Sequence, residues 1–243
     1  MNVAVIFAGG VGKRMHSKDL PKQFLKLHDK PIIIHTLEVF ENNANIDSIV
    51  IACVEDWIPY LQELIIKYNI NKILKIVPGG STGQLSIYNG LSVVHELYKN
   101  NEDTIVLIHD GVRPLIDDKT IDDNITSVKE HGSAITSVAV TETVLLTNND
   151  SSIESIPDRS CSRLARAPQS FRLHEVWEAE SRAISEGKTD FIDTCSLMKY
   201  YGYHLYLIEG PKQNIKITTP EDFYVMRAMI DARENLQMLG SNE

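Results

Sequence analysis

Cysteine is scarce in this chain of 243 residues: Cys53, Cys161 and Cys195 stand far apart, odd in number and without a CxxC pair. That argues against a disulfide framework and a thiolate metal site, and it fits a reducing cytoplasm. No apolar run approaches the roughly 20 residues that span a bilayer, so no membrane partner is expected. Met1 leads directly into a strand-like run with no charged leader or cleavage site, so the expected location is the cytoplasm. Excess positive charge is missing too. The formal net charge of -9 argues against a nucleic-acid binder, which would normally be basic. Repeats, low-complexity segments and interdomain linkers are also absent, which predicts a single domain over residues 1–243 with a frayed polar end at 240–243.

What charge there is lies in islands. Residues 13–30 hold six Lys or Arg against two acids, and residues 157–172 hold four Arg against one Asp. An acidic protein with two cationic patches suggests small anionic substrates held at defined points. Continuous apolar runs at Val3–Ala8, Ser48–Cys53, Ile73–Val77, Thr104–Ile108 and Ala134–Val140 predict strands buried on both faces of a parallel sheet. Helical patterns fall between them at Ile33–Asn42, Trp57–Tyr68, Leu85–Tyr98 and Ile121–His131. This alternation predicts an α/β fold with a doubly wound, mostly parallel sheet. It falters at residues 141–160, where the apolar patches Val144–Leu146 and Ile153–Ile156 flank Asn-Asn-Asp-Ser-Ser. That is the pattern of an inserted β-hairpin arm, suited to covering a site or reaching another subunit. Helices resume at His174–Ser185 and Asp193–Tyr201, then a strand at His204–Ile208. A last helix opens at Pro220 behind Thr219 as N-cap, with Asp222 in its first turn.

The first strand breaks at VIFAGGVGKRM (Val5–Met15) into glycines and then two cations. This is not a Walker A loop: Phe7 stands where its first glycine belongs, and Arg14 where Ser or Thr follows the lysine. Nor is it a dinucleotide fingerprint, because Met15 takes the place of the third glycine. What remains, AGGxGxRM followed by Leu20-Pro21-Lys22-Gln23, resembles the signature of the sugar-phosphate nucleotidyltransferases. There the glycines let the backbone wrap a nucleoside triphosphate, with amides and basic side chains facing the phosphates.

Further motifs narrow the resemblance. HDGVRP (109–114) follows a strand at its C-terminal end, where open α/β sheets bind ligands. APQSF (167–171) follows the hairpin, NIKITTPED (214–222) precedes the last helix, and Gly79-Gly80, Ser86 and Asn89-Gly90 lie between. Together these resemble the cytidylyltransferases of the methylerythritol-phosphate and ribitol-phosphate type, in order and over nearly the whole chain. The resemblance implies CTP and a small polyol phosphate as substrates, Mg²⁺ as cofactor and a homodimer formed through the arm. By the same resemblance Arg14, Lys22 and Lys216 bind the triphosphate and stabilise charge on its α-phosphorus. Ala8, Gly9, Gly10, Gly12 and Lys13 form the phosphate loop. Gly79, Gly80 and Ser86 hold the base through backbone groups. Asp110 and Arg113 form the floor under the ribose, the acceptor and the surroundings of the metal. Thr143 and Arg159 meet the acceptor phosphate, on the resemblance from the neighbouring subunit. His109 is expected to pack or orient its loop, and the cysteines to have no role.

The pattern departs from its relatives at Ser81 and Gly83, where an acid and an arginine are frequent, at Ala167 for Thr and at Gly111 for Ala. No Ser/His/Asp or Cys/His set can be assembled from motif positions, as befits an acceptor whose own phosphate oxygen attacks. AGG in the first loop, LPKQF and VRP lean towards D-ribitol 5-phosphate as the acceptor, with CDP-ribitol for wall or capsule polymers as the product. The alternatives are 2-C-methyl-D-erythritol 4-phosphate, a guanylyl- or thymidylyltransferase of hexose 1-phosphates, and a catalytically silent nucleotide-binding homologue.

Overall fold

The computed structural model describes residues 1–9 and 20–240. The chain opens with β1 (Asn2–Ala8) and a small hairpin of β2 (Lys26–Leu27) and β3 (Lys30–Pro31). Then follow α1 (Ile32–Asn42), β4 (Ser48–Cys53), α2 (Ile58–Lys67), β5 (Ile73–Pro78), α3 (Gly83–Tyr98), β6 (Ile105–Asp110), α4 (Asp118–His131) and β7 (Ser133–Ala139). After the short pair β8 (Leu146–Thr147) and β9 (Ile153–Ser155) come β10 (Arg163–Arg172), α5 (Leu173–Ser185), α6 (Thr194–Tyr200), β11 (Leu207–Glu209) and α7 (Pro220–Gly240). Each apolar run named above becomes a strand of one sheet, ordered β11-β7-β10-β6-β1-β4-β5. β1 lies parallel between β4 and β6, as the alternation predicts.

Alternate residues of these strands feed two cores. Ala4, Ile6 and Ala8 of β1 face α1, α2 and α4, packing with Ile33, Leu37, Phe40, Leu61 and Ile125. Val3 and Val5 face the other way, against Leu91 and Val94 of α3 and Val176 and Ala179 of α5. A third cluster, with Leu27, Ile32, Val112, Ile217 and Met226, docks α7 beside the β2–β3 hairpin. The N-cap reading of α7 is met: the Asp222 amide donates to Thr219 Oγ1 at 3.4 Å, and the Thr218 and Thr219 amides both donate back to Asp222 Oδ2 at 2.8 Å.

One strand escaped the sequence reading. β10 runs antiparallel to both β6 and β7, in the middle of the sheet. Arg163, Arg166 and Pro168 disguise it. Its first half is exposed, so charge is tolerated there, while Ala167–Phe171 is buried. Pro168 has no N–H to give the ladder, and the register shifts between Ala165 and Gln169.

The inserted segment forms a hairpin shorter than its two apolar patches: Leu146 pairs with Ser155 and Thr147 with Ile153, in a sheet of their own. Leu145, Leu146, Ile153 and Ile156 are between 48% and 60% exposed, so this arm has no core of its own to rest on. Residues 241–243 of the expected tail lie outside the described residues.

Candidate active site

Register sets the site. Phe7 of β1 stands opposite Asp110 of β6, at the C-terminal ends of adjacent parallel strands, where β1 gives way to the glycine loop. The Gly111 amide donates back to the Phe7 carbonyl at 3.0 Å, closing the turn that fixes Asp110. Asp110 is only 5% exposed, and its carboxylate is divided between two cations. Oδ2 accepts from Arg113 Nε at 2.7 Å, and Oδ1 from Lys216 Nζ at 2.5 Å. Burial opposes ionisation, but the Lys216 and Arg113 charges outweigh it and hold the carboxyl well below the usual carboxylate range.

The NIKITTPED segment reaches this point because its flanks are anchored. Asn214 and Ile217 are fully buried. The Asn214 side chain donates to the Ala167 carbonyl at 2.8 Å, and the Asn214 backbone carbonyl accepts from Arg113 at 3.0 Å. The Ile217 amide donates to the Val112 carbonyl at 3.1 Å. Lys216, held between them, spreads its ammonium over the Phe7 ring, 5.6 Å from the centroid. Lys22 arrives from the opposite side of the sequence: its Nζ donates to the Ile217 carbonyl at 2.9 Å, one residue from Lys216. Two of the three expected catalytic cations therefore line one cleft of about 470 Å³. Arg14, with Gly10, Gly12 and Lys13, lies outside the described residues.

Phe7, Ala8, Gly9, Gly80 and Ser86 border the same cleft. The Ala8 carbonyl accepts from the buried Gln23 amide at 2.7 Å, tying the LPKQF segment to the end of β1. Gly9 and Gly79 make a close approach: a Cβ on Gly79 would meet the Gly9 Cα at 3.1 Å, and one on Gly9 would meet Ser86 Oγ at 2.6 Å. Ser86 Oγ in turn accepts from the Gly80 amide at 3.0 Å. A Cβ on Gly80 would lie 2.2 Å from the Leu85 Cβ and 2.8 Å from its backbone carbon. Gly80→Ala must therefore push the start of α3 away, at an expected cost of about 1–3 kcal/mol, with weakened nucleotide binding. Urea denaturation with calorimetric nucleotide titration checks both.

His109 behaves as expected. It is fully buried against Phe40, donates Nε2–H to the Arg113 carbonyl at 3.1 Å, and burial lowers its pKa to about 4. Burial likewise raises the thiols of Cys53 and Cys195, to about 12 and 11, so neither is a ready nucleophile. Thr143 and Arg159 do not reach the cleft of their own chain. Both are exposed on the arm, and Arg159 donates to the Thr141 carbonyl at 3.2 Å.

The sequence reading missed a second cavity of about 200 Å³, which shares Phe7, Gly83, Asp110 and Lys216 with the first. Arg166 from β10, Gln84 from α3, Glu180 from α5 and Asp193-Thr194 at the start of α6 line its remaining wall. Burial and the nearby Arg113 charge lower the Arg166 pKa, and both guanidiniums line this cavity. One signal for Glu180 was present: it falls on the buried stripe Val176, Ala179, Glu180, Ala183, where an apolar residue would be routine.

Comparison with known proteins places this arrangement. The family model for 2-C-methyl-D-erythritol 4-phosphate cytidylyltransferase (IspD) matches residues 2–232. The chain is 53% identical over 240 residues to a ribitol-5-phosphate cytidylyltransferase of Vibrio parahaemolyticus, covering 99% of this chain and 100% of that one. It is 52% identical over 240 residues to the enzyme of that name from Streptococcus agalactiae serotype III, with the same coverage. In fold it matches the crystal structure of 4-diphosphocytidyl-2C-methyl-D-erythritol synthase from Anaerococcus prevotii, with a TM-score of 0.82, 24% identity and coverage of 95% and 96% of the two chains. With the family model spanning nearly its whole length and relatives sharing half its residues, this chain belongs to the IspD family of cytidylyltransferases and is a nucleotidyltransferase.

Proposed function

We propose that the protein transfers the cytidylyl group of CTP to D-ribitol 5-phosphate, giving CDP-ribitol and pyrophosphate. The observation that carries this reading is the shared wall of the two cavities. Asp110 fixes Lys216 and Arg113 where a triphosphate in one chamber would meet an anion in the other. The relatives named for ribitol 5-phosphate, at 52–53% identity, support the choice of acceptor.

The acceptor's phosphate monoester has a second pKa of about 6 and is mostly a dianion at pH 7, so it attacks without a general base. Its oxygen approaches the α-phosphorus in line as pyrophosphate departs. Lys22, Lys216 and Arg14 stabilise the charge that gathers there. Backbone groups of the Gly79–Thr82 turn and the start of α3 receive the cytosine. Thr143 and Arg159 of the arm serve the acceptor phosphate of a second copy in a homodimer, where the arm's exposed apolar residues would be covered. The fit for Mg²⁺ is to a metal carried by the triphosphate. Both Asp110 oxygens already face cations, and no cluster of three His, Cys, Asp or Glu that could hold a metal occurs among the described residues. Bound by phosphate oxygens and water, with Asp110 nearby, it would neutralise the departing pyrophosphate. A cytoplasmic location accords with the CTP requirement, and no helix among the described residues is long and apolar enough to cross a membrane.

Pyrophosphate release from CTP, GTP, ATP and dTTP, each paired with ribitol, methylerythritol, glycerol and hexose phosphates, tests this. CTP with D-ribitol 5-phosphate is expected to exceed every other pair. Release with methylerythritol 4-phosphate alone would select the family's other acceptor, release from GTP or dTTP with hexose 1-phosphate would reject the nucleotide, and silence throughout would reject catalysis.

A further inference from the structure

Among the described residues, nine buried side-chain polar atoms lack a hydrogen-bond partner, and three of them belong to residues lining the smaller cavity: Glu180 Oε1, Thr194 Oγ1 and Arg166 Nε. Each such atom is destabilising when left dry. Their gathering around one cavity marks a place where a ligand completes them.

Glu180 is the sharpest case, because it is fully buried and its surroundings are already committed. Gln84 donates to Glu180 Oε2 and to the Lys188 carbonyl, each at 3.1 Å, and accepts from the Phe191 amide at 3.0 Å. The Gln84 amide has thus used both its hydrogens. It clamps one carboxyl oxygen and leaves Oε1 with nothing. Burial, only partly offset by Gln84, raises the carboxyl pKa to about 7. A carboxylate kept only for structure would be expected to have both oxygens engaged. Glu180 also stands on the part of the wall that the triphosphate cleft does not share, whereas Asp110 and Lys216 stand on the shared part. An acceptor with its phosphate at the cations extends its polyol chain away from them.

We propose that Glu180, held by Gln84, is a specificity-determining residue that hydrogen-bonds the hydroxyl of the acceptor chain farthest from its phosphate. The inference rests on the polyol-phosphate reading above and adds the group that measures the chain's far end.

The test pairs two acceptors with two forms of the enzyme: D-ribitol 5-phosphate and its 1-deoxy analogue, with wild type and Glu180→Leu. Wild type is expected to lose roughly 10–100-fold in kcat/KM on the deoxy acceptor. Glu180→Leu is expected to show that loss already on ribitol 5-phosphate, with little further loss on the analogue and KM for CTP unchanged. Glu180→Ala, which adds no bulk, should repeat the pattern if leucine disturbs folding. Equal use of both acceptors by wild type overturns the proposal without any variant, as does undiminished discrimination in either variant. Pyrophosphate release only with acceptors that are not polyol phosphates would instead overturn the underlying reading, a result the cycle does not resemble.

Discussion

Lys216→Ala is expected to lower kcat by about 10²–10³, the loss seen when one preorganised charge is removed from a transition state. The fold should survive it. Asn214 and Ile217 anchor the segment through backbone and side-chain bonds that do not involve the lysine head. Asp110 keeps Arg113, so no buried carboxylate is orphaned. The Lys216 side chain is 38% exposed, so its ion pair is partly screened and contributes little to stability. On the proposed reading CTP binding should weaken less than turnover, because Lys22 remains on the same cleft. Steady-state pyrophosphate release with a thermal melt separates the cases: a melt that collapses along with activity, or a kcat within about threefold of wild type, would assign Lys216 to structure.

Asp110→Ala should do the reverse and damage stability and activity together. It strips the anion from between Arg113 and Lys216 at a position 5% exposed, leaving a buried guanidinium without its partner. Removing one member of a buried pair costs about 3–5 kcal/mol. Activity should fall at least as far as in Lys216→Ala, since both cations lose their aim. The sign of the pH dependence follows. The Asp110 carboxyl is held below its ordinary 3.8, so the pairing stabilises the fold fully above that value and fades as pH falls through the depressed one. Urea midpoints taken from pH 5 down to pH 2 should therefore drop more steeply for wild type than for Asp110→Asn. Parallel curves would show that this carboxylate contributes nothing through its charge.

Most of the sheet was legible because its strands are buried on both faces and read as unbroken apolar runs, Ser48–Cys53 to the residue. β10 was not, because only its second half is buried and the first tolerates Arg163 and Arg166. The motif residues converged as expected where short turns carry them, as with Asp110 and Arg113, three residues apart. The bond from Lys22 to the Ile217 carbonyl crosses 195 positions and was not legible; only the meeting of Lys22 with Lys216 was implied, by resemblance to a known family. Glu180 and Gln84 lie 96 positions apart on different helices, and no local pattern pairs them. The arm's residues Thr143 and Arg159 stand exposed and away from the cleft, so the role that the family resemblance implies for them has no counterpart in the contacts of this chain.

The most direct measurement is a crystal structure of the protein with Mg²⁺ and a non-hydrolysable CTP analogue. The α-phosphate is expected in the cleft at the end of β1, within about 3 Å of both Lys22 Nζ and Lys216 Nζ, with the smaller cavity open beside it for the acceptor. A triphosphate bound elsewhere, with those two ammonium groups left on Ile217 and Asp110, would contradict the assignment.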